Sequence, residues 1–469
     1  SRRGSPLRSL GQHLINGFVF TLSRIIYSTE FYPGKDGEQN LRSHREQARD
    51  VPIVEKADVV VCGAGPAGVA AAIAAARQGA KTRVIELHGC LGGVWTAGAL
   101  SWIIDSTNKR GIMAEITARL EERGARQLRH DGGRNYAYDV EEMKVLLDEL
   151  CLEAGIDIRL LTRVVAAGRD SQNRLSVVIT ESKAGREAWH AKAFIDATGD
   201  GDLGAQAGCG FDMGHPETGA VQPMSLMALV AGLRFNEVEA YVGGSLSEPK
   251  KRLGALMTEI GVAPSYGHPT LFRIHDDLFA LMANHQYGVL CDDPDRITLA
   301  TIGGRKEVHQ QVAALRQLGG IWSGIRIVST AAQIGVREGR RIHGRYTLTS
   351  EDLIEGARFD DAICRVTMGI DVHSTDPTKT KAVETKPHRS QPYDIPLRAL
   401  IARDVDGLLM AGRCISGDFI AHSSYRVTGN AVTMGQAAGI CAARAALTNV
   451  LPHQVPWSDL EASLATDHR

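Results

Sequence analysis

Hydrophobic and polar positions along the chain alternate in a few sharply readable places. Ala57 to Cys62 is a short β-branched run ended by glycine, the mark of a buried strand. An alanine-rich stretch from Pro66 to Gln78 predicts a helix, with Gly79 as its stop. Lys81 to Leu87 then predicts a second strand, completing a βαβ unit of about 30 residues. Further on, Met143, Leu146, Leu147, Leu150, Cys151 and Ala154 recur at helical spacing and predict an amphipathic helix over 139–154. Ile156 to Ala166, Leu175 to Thr180 and Ala191 to Ala197 are expected to be strands separated by polar turns. Residues 216–320 are less patterned and carry most of the loose histidines and prolines. Asp406 to Asn449 returns to strand, glycine turn and small-residue helix. No internal repeat or low-complexity tract interrupts this order.

Composition narrows the class. The chain has 469 residues, enough for two lobes with sizeable cores. Lys and Arg number 53 against 54 Asp and Glu, a net charge of -1 that argues against a nucleic-acid surface. Fifty glycines exceed the roughly 33 that average usage of about 7% would give, so many tight turns and close backbone approaches are expected. Eight cysteines are scattered without a CxxC pair, which sets aside zinc, iron–sulfur and thioredoxin-type sites and fits reduced thiols in a cytoplasmic protein. No run of about 20 apolar residues predicts a membrane span. Residues 1–29 carry arginines and no acid, with an apolar stretch Leu14 to Tyr27, so they read as a structural arm or a targeting segment.

The chemistry begins between the first strand and the first helix. Gly63-Ala64-Gly65-Pro66-Ala67-Gly68 is a GxGxxG at that junction. Gly63 allows the sharp turn, Gly65 lets the backbone approach a pyrophosphate, and Gly68 lets helix and strand pack closely. The helix start offers N–H groups and a positive dipole end to phosphates. Glu86 closes the second strand, about 20 residues further on, where a carboxylate accepts ribose hydroxyls and repels a 2′-phosphate. NAD and FAD share this fingerprint.

Other segments separate them. Gly92-Gly93-Val94-Trp95-Thr96, Asp196-Ala197-Thr198-Gly199-Asp200-Gly201-Asp202, Gly335 to Ile342 with its three arginines, and Leu409 to Asp418 continuing through Arg426 and Gly435 to Gly439 follow in order. With these segments the chain, over about 55–450, resembles the glutathione-reductase-like FAD superfamily, and more closely its FAD-dependent oxidoreductase branch. The resemblance implies an α/β fold: a Rossmann-like FAD-binding domain of glutathione-reductase type with an interleaved α+β substrate lobe. The expected organisation is an arm (1–54), a first part of the FAD domain (55–215), the main substrate lobe (216–320), a mixed return segment (321–395), a closing FAD part (396–450) and a tail (451–469).

The same resemblance implies which residues hold FAD: Gly63, Gly65, Pro66, Ala67 and Gly68 at the bend, Glu86, then Gly92, Gly93 and Thr96 flanking the pyrophosphate. Thr198 and Gly199 end a strand beside the dinucleotide, and backbone groups around Val164 meet the adenine. In the closing segment Gly412, Arg413, Asp418 and Arg426 face the flavin, Asp418 accepting from the ribityl chain. A helix beginning near Thr428 would aim its positive end at the flavin pyrimidine edge and stabilise the reduced ring.

Candidates for substrate chemistry are His373, His422 and Arg426, with Tyr425 beside them. A histidine of near-neutral pKa takes an alcohol or amine proton while hydride leaves to flavin N5, and an arginine anchors a carboxylate or the flavin C2 oxygen. Arg337, Arg340 and Arg341 are either substrate-anion anchors or framework, with framework the better-supported reading. Cys90 invites a covalent flavin link, and Trp95 and Trp102 read as packing. A single dinucleotide fingerprint favours a dehydrogenase or oxidase acting on a small organic molecule. A flavin monooxygenase or reductase using NAD(P)H is the alternative, a flavin-dependent tRNA-modifying factor a further one, and a fold-retaining binder without redox chemistry the last. A homo-oligomer is compatible with all of these.

Overall fold

The computed structural model describes residues 44, 46–54, 56–127, 135–243, 247–384 and 389–466, so the arginine-bearing segment 1–29 lies outside the described residues. The predicted βαβ unit is present: β1 (Val59–Cys62), α1 (Pro66–Arg77) and β2 (Thr82–Ile85). Every residue of β1 is fully buried, which explains its unbroken apolar run in place of alternation. The amphipathic helix α2 (Val140–Glu153) starts at Asp139, whose carboxylate accepts from the N–H groups of Glu141 and Glu142.

One expectation changes here. The single strand expected over 156–166 is two: β3 (Asp157–Arg159) and β4 (Arg163–Arg169), in different sheets. Leu161 breaks them apart, exposed and left-handed with φ of 53°, a conformation that β-sheet pairing does not allow. β4 pairs with β5 (Leu175–Ser182), which pairs with β6 (Gly185–His190), forming a three-stranded antiparallel sheet. The next strand, β7 (Ala193–Asp196), returns beside β1.

The weakly patterned middle holds a four-stranded antiparallel sheet. Its strands are β8 (Ala228–Ala231), β9 (Thr270–Arg273), β10 (Leu278–Met282) and β11 (Arg326–Thr330), in the order β9-β10-β8-β11. The fourth strand comes from the segment expected to be a mixed return. A long helix, α3 (Pro294–Leu318), contacts β11. Val308, Val312 and Leu315 of this helix join a core of their own with Ala228, Val230, Phe279 and Trp322. No helix among the described residues is long and apolar enough to cross a membrane.

A strand pair, β12 (Ala362–Val366) with β13 (Tyr393–Pro396), leads back to β14 (Leu408–Met410). β14 completes a parallel sheet of order β14-β7-β1-β2-β3. Its register aligns Cys62, Ile85, Asp196 and Met410 along one edge. The glycine bend, Glu86, Thr198 and Gly412 therefore all leave the sheet at its carboxyl end, where open α/β sheets bind ligands. After β14 come α4 (Phe419–Tyr425) and α5 (Thr428–Thr448). α5 crosses α1 at backbone contact: a Cβ at Gly435 would sit 2.0 Å from the Ala67 carbonyl, and one at Gly439 would sit 2.2 Å from that of Ala71. Small residues on both helices permit that approach.

Candidate flavin site

A groove runs along the carboxyl edge of the parallel sheet. Glu86 and Val164 line one end, the bend residues Gly63, Gly65, Pro66 and Ala67 its middle, and Gly412, Arg413, Arg426, Thr428 and Ala431 the other. The two stretches that sequence reasoning placed about 350 residues apart thus share one cleft.

The three glycines of the bend have separate physical reasons. Gly63 has φ of +90°, and a Cβ there would meet the Ala197 carbonyl at 2.4 Å. At Gly68 a Cβ would lie 1.9 Å from the Gly63 oxygen, so helix and turn could not pack. At Gly65 a Cβ would meet nothing within 4 Å. No protein neighbour requires glycine there, and the space it leaves open is that of the groove it lines. The start of α1 beside it has no side-chain cap, which leaves N–H groups available to an anion.

Glu86 is buried, and each of its oxygens already has a backbone partner: Ala64 N–H donates to Oε2 at 2.6 Å, and His88 N–H to Oε1 at 2.8 Å. A carboxylate oxygen accepts more than one hydrogen bond, so the oriented acid still has capacity toward the groove. Asp196, at the end of β7 on the far side of β1, is raised to about 6 by burial, although Gly204 N–H and Thr198 donate to it. Thr198 Oγ1 also accepts from Asp202 N–H, so that side chain shapes the turn, and Gly199 beside it seats the Arg413 guanidinium. Arg413 Nη2 donates to Asp200 Oδ1 at 2.6 Å, while its buried Nε has no partner among the described residues. An acceptor on a bound diphosphate or ribityl chain would satisfy that donor. The open face at Gly65, the anchored acid and this orphaned donor fit FAD.

Several residues named from sequence lie elsewhere. Gly93 lines the groove, whereas Gly92 and Thr96 build the turn behind it, Thr96 Oγ1 donating to the Leu91 carbonyl. Asp418 is the N-cap of α4, not a groove residue: its carboxylate accepts from Ala421 N–H at 2.7 Å and Ser350 N–H at 2.6 Å. His422 is fully buried within α4 and does not reach the groove. Neither of its ring nitrogens has a hydrogen-bond partner among the described residues. Burial, with the nearby charges of Arg426, Arg341 and Arg413, holds it neutral, well below the ordinary histidine range. Cys90 is a free thiol facing Thr96, and all eight cysteines are unpaired.

Arg426 does line the groove. Its Nη2 donates to the Asp371 carbonyl at 2.9 Å and its Nη1 to the Arg337 carbonyl at 3.3 Å. Two residues later α5 begins without a side-chain cap, so its positive end opens beside Thr428. Behind Arg426 lies a cluster that only His373 announced in the sequence. His373 Nε2 stands 3.4 Å from Asp371 Oδ2, and its Nδ1 is 3.1 Å from His285 Nε2. His285 Nδ1 in turn is 3.2 Å from the Tyr287 hydroxyl, and the Tyr266 ring covers His285 at a centroid distance of 4.2 Å. Burial and the Arg337 charge lower His373 to about 4. Burial alone would raise Asp371, but His373, Arg426 and Arg337 draw it well below the usual carboxylate range. The polar run Asn284-His285-Gln286-Tyr287, directly after an apolar strand, was the one available signal for this cluster.

The folds found among solved structures include a geranylgeranyl bacteriochlorophyll reductase-like protein from Thermoplasma acidophilum, 12% identical, with a TM-score of 0.41 over 88% of this chain and 82% of that one. They also include p-nitrophenol 4-monooxygenase from Pseudomonas putida, 12% identical, with a TM-score of 0.45 over 89% and 85%. The flavin-dependent brominase Bmp2 is a third, 12% identical, with a TM-score of 0.43 over 88% and 83%. No curated protein matches the sequence. The model of the FAD dependent oxidoreductase family matches residues 58–464, nearly the whole described chain, so this protein belongs to that family and FAD is its cofactor.

Proposed function

We propose that the protein is a dehydrogenase or oxidase that takes a hydride from a small organic molecule, with FAD lying along a groove of glutathione-reductase type. The observation that carries this reading is the far end of the groove. There Arg426 and the open start of α5 stand directly in front of the Asp371–His373 pair. Bound flavin supplies the two-electron chemistry. The chain supplies orientation and a place for the proton that accompanies it. His373, buried and neutral at pH 7, has Asp371 on one nitrogen and His285 on the other, so a proton received by the pair has a hydrogen-bonded path toward Tyr287. The presence of one glycine fingerprint in the sequence favours an electron acceptor other than a resident nicotinamide.

Anaerobic titration tests this. The purified protein should show the two-band visible absorption of an oxidised flavin. An alcohol, amine or hydroxy acid should bleach it within a turnover, and His373→Ala should slow that bleaching while leaving the oxidised spectrum in place. Rapid bleaching by NADPH or NADH with no response to any organic donor would assign the reaction to the monooxygenase or reductase class instead.

A further inference from the structure

The three arginines of the segment 335–342 differ in how their charge is met. Arg341 Nη1 donates to Glu338 Oε1 at 2.7 Å, and its other nitrogens donate to the Gly417 and Gly214 carbonyls. Arg340 lies between Asp202 at 3.0 Å and Asp292 at 3.2 Å. Both are framework. Arg337 pairs with no carboxylate among the described residues: Nη1 donates to the Pro223 carbonyl at 2.6 Å and Ser225 Oγ at 2.9 Å, and Nη2 meets only the Met282 sulfur at 3.9 Å.

The surroundings sharpen the imbalance. Arg337 and Arg426 face the same cluster, and among the described residues Asp371, 3.8 Å from Arg426, is the one carboxylate there not committed to another arginine. Glu338 is committed to Arg341 and to the N–H groups of Gly214 and Gln222. His373 and His285 are neutral, both lowered by burial and by Arg337. Two guanidiniums against one carboxylate leave about one uncompensated positive charge in a poorly hydrated setting, which is costly unless an anion completes it. The mutual effect is visible on Arg337, lowered to about 10 by burial and then by Arg426. A second observation points the same way. Gln222 Oε1 accepts from His373 N–H, and its amide nitrogen is buried with no partner among the described residues.

Arg426 lines the flavin groove and Arg337 does not. Their tasks divide accordingly: Arg426 faces the flavin end, and Arg337 faces what lies beyond it. We propose that Arg337 is the carboxylate anchor of a substrate subsite, so that this enzyme acts on small organic acids. One side of its guanidinium is pinned by Pro223 and Ser225, and Nη2 on the other meets only the weakly accepting Met282 sulfur, a partner that a carboxylate would replace. The assignment rests on the reading of the groove as the flavin site and names the substrate class for it.

The test uses the flavin-bound protein at fixed ionic strength, titrated with benzoate and, as its neutral counterpart, benzyl alcohol. Binding is followed by the flavin visible spectrum and by the thermal unfolding midpoint. Benzoate should give a saturable spectral change and raise the midpoint, whereas benzyl alcohol should do neither. Arg337→Gln should weaken benzoate at least tenfold, and Arg337→Lys should retain part of the affinity. Equal benzoate affinity in wild type and R337Q, or no saturable effect on a protein with a normal flavin spectrum, would overturn the subsite while leaving the flavin reading intact. A protein without flavin absorption would overturn the flavin reading, and benzoate protection against heating, compared between wild type and R337Q, would still decide the subsite.

Discussion

The Glu86 carboxylate accepts a 2.6 Å hydrogen bond from the backbone N–H of Ala64, tying the acid at the end of β2 to the middle of the glycine bend. The residue proposed to meet the ribose and the loop proposed to meet the phosphates are therefore tied to each other. Glu86→Gln keeps the shape but loses the charge. With hydrogen bonds to charged groups worth about 1.5–3 kcal/mol, it should weaken FAD binding by roughly ten- to a hundredfold. Equilibrium titration of the apoprotein by flavin fluorescence quenching measures this.

The bend glycines should fail in different ways. Gly65→Val places its Cβ where no protein atom beyond its chain neighbours lies within 4 Å, so the chain should fold with a near-normal melting temperature and bind little FAD. Gly68→Ala forces a Cβ to within 1.9 Å of the Gly63 oxygen, so it should lower stability by several kcal/mol. Calorimetry with the flavin-to-protein absorbance ratio separates the two outcomes.

His422 should be dispensable for chemistry. Both ring nitrogens are buried without partners among the described residues, a cost of about 1–3 kcal/mol for an unsatisfied group. His422→Phe replaces the ring with an apolar one of similar size. It should leave turnover unchanged and stability equal or higher by denaturant unfolding. A large loss of turnover in a stable variant would return His422 to the reaction.

The buried histidines give stability a pH dependence of definite sign. His373 is lowered from 6.5 to about 4, so the unfolded chain binds the extra proton between those values and the folded chain does not. Its contribution is complete above about 6.5 and declines as pH falls toward 4, by about 3 kcal/mol at 1.36 kcal/mol per pKa unit. His285 and His422 are lowered by burial as well and act in the same direction. The groups facing His373 and His285 are Arg337, Arg426, Asp371, His268, Tyr266 and Tyr287. Urea midpoints measured from pH 7.5 to 4.5 should fall, and His373→Gln should flatten part of that slope.

How far the sequence was legible follows from how each element is buried. β1 and α1 were readable because β1 and residues 66–75 of α1 are buried, so those residues had to be apolar or small throughout, and the glycine spacing between them answers to backbone clashes at Gly63 and Gly68. The break at Leu161 was not readable: an exposed leucine in a left-handed turn carries no signature. The four-stranded sheet escaped because its strands are short and, apart from β9 and β10, far apart in the chain, with helices such as α3 between them. α3 showed its buried face at Ala300, Gly304, Val308, Val312 and Leu315, a spacing diluted by a long charged exterior. At the site, the bend that lines the groove was legible because backbone geometry demands glycine at Gly63 and Gly68. Asp418 and His422 were misplaced because a motif locates a segment without saying which way each side chain turns. His285 and Tyr287 meet His373 only through tertiary packing, which no local spacing encodes.

The account turns on one cofactor bridging the bend at 63–68 and the closing segment at 412–431. Crystallographic density of the flavin-bound protein tests this most directly. The account predicts the adenosine end beside Glu86 and Val164, the diphosphate over Gly65 and the start of α1, and the ring beside Arg426 and Thr428. A flavin ring bound away from Thr428, or a diphosphate with no contact to Gly65, would contradict it.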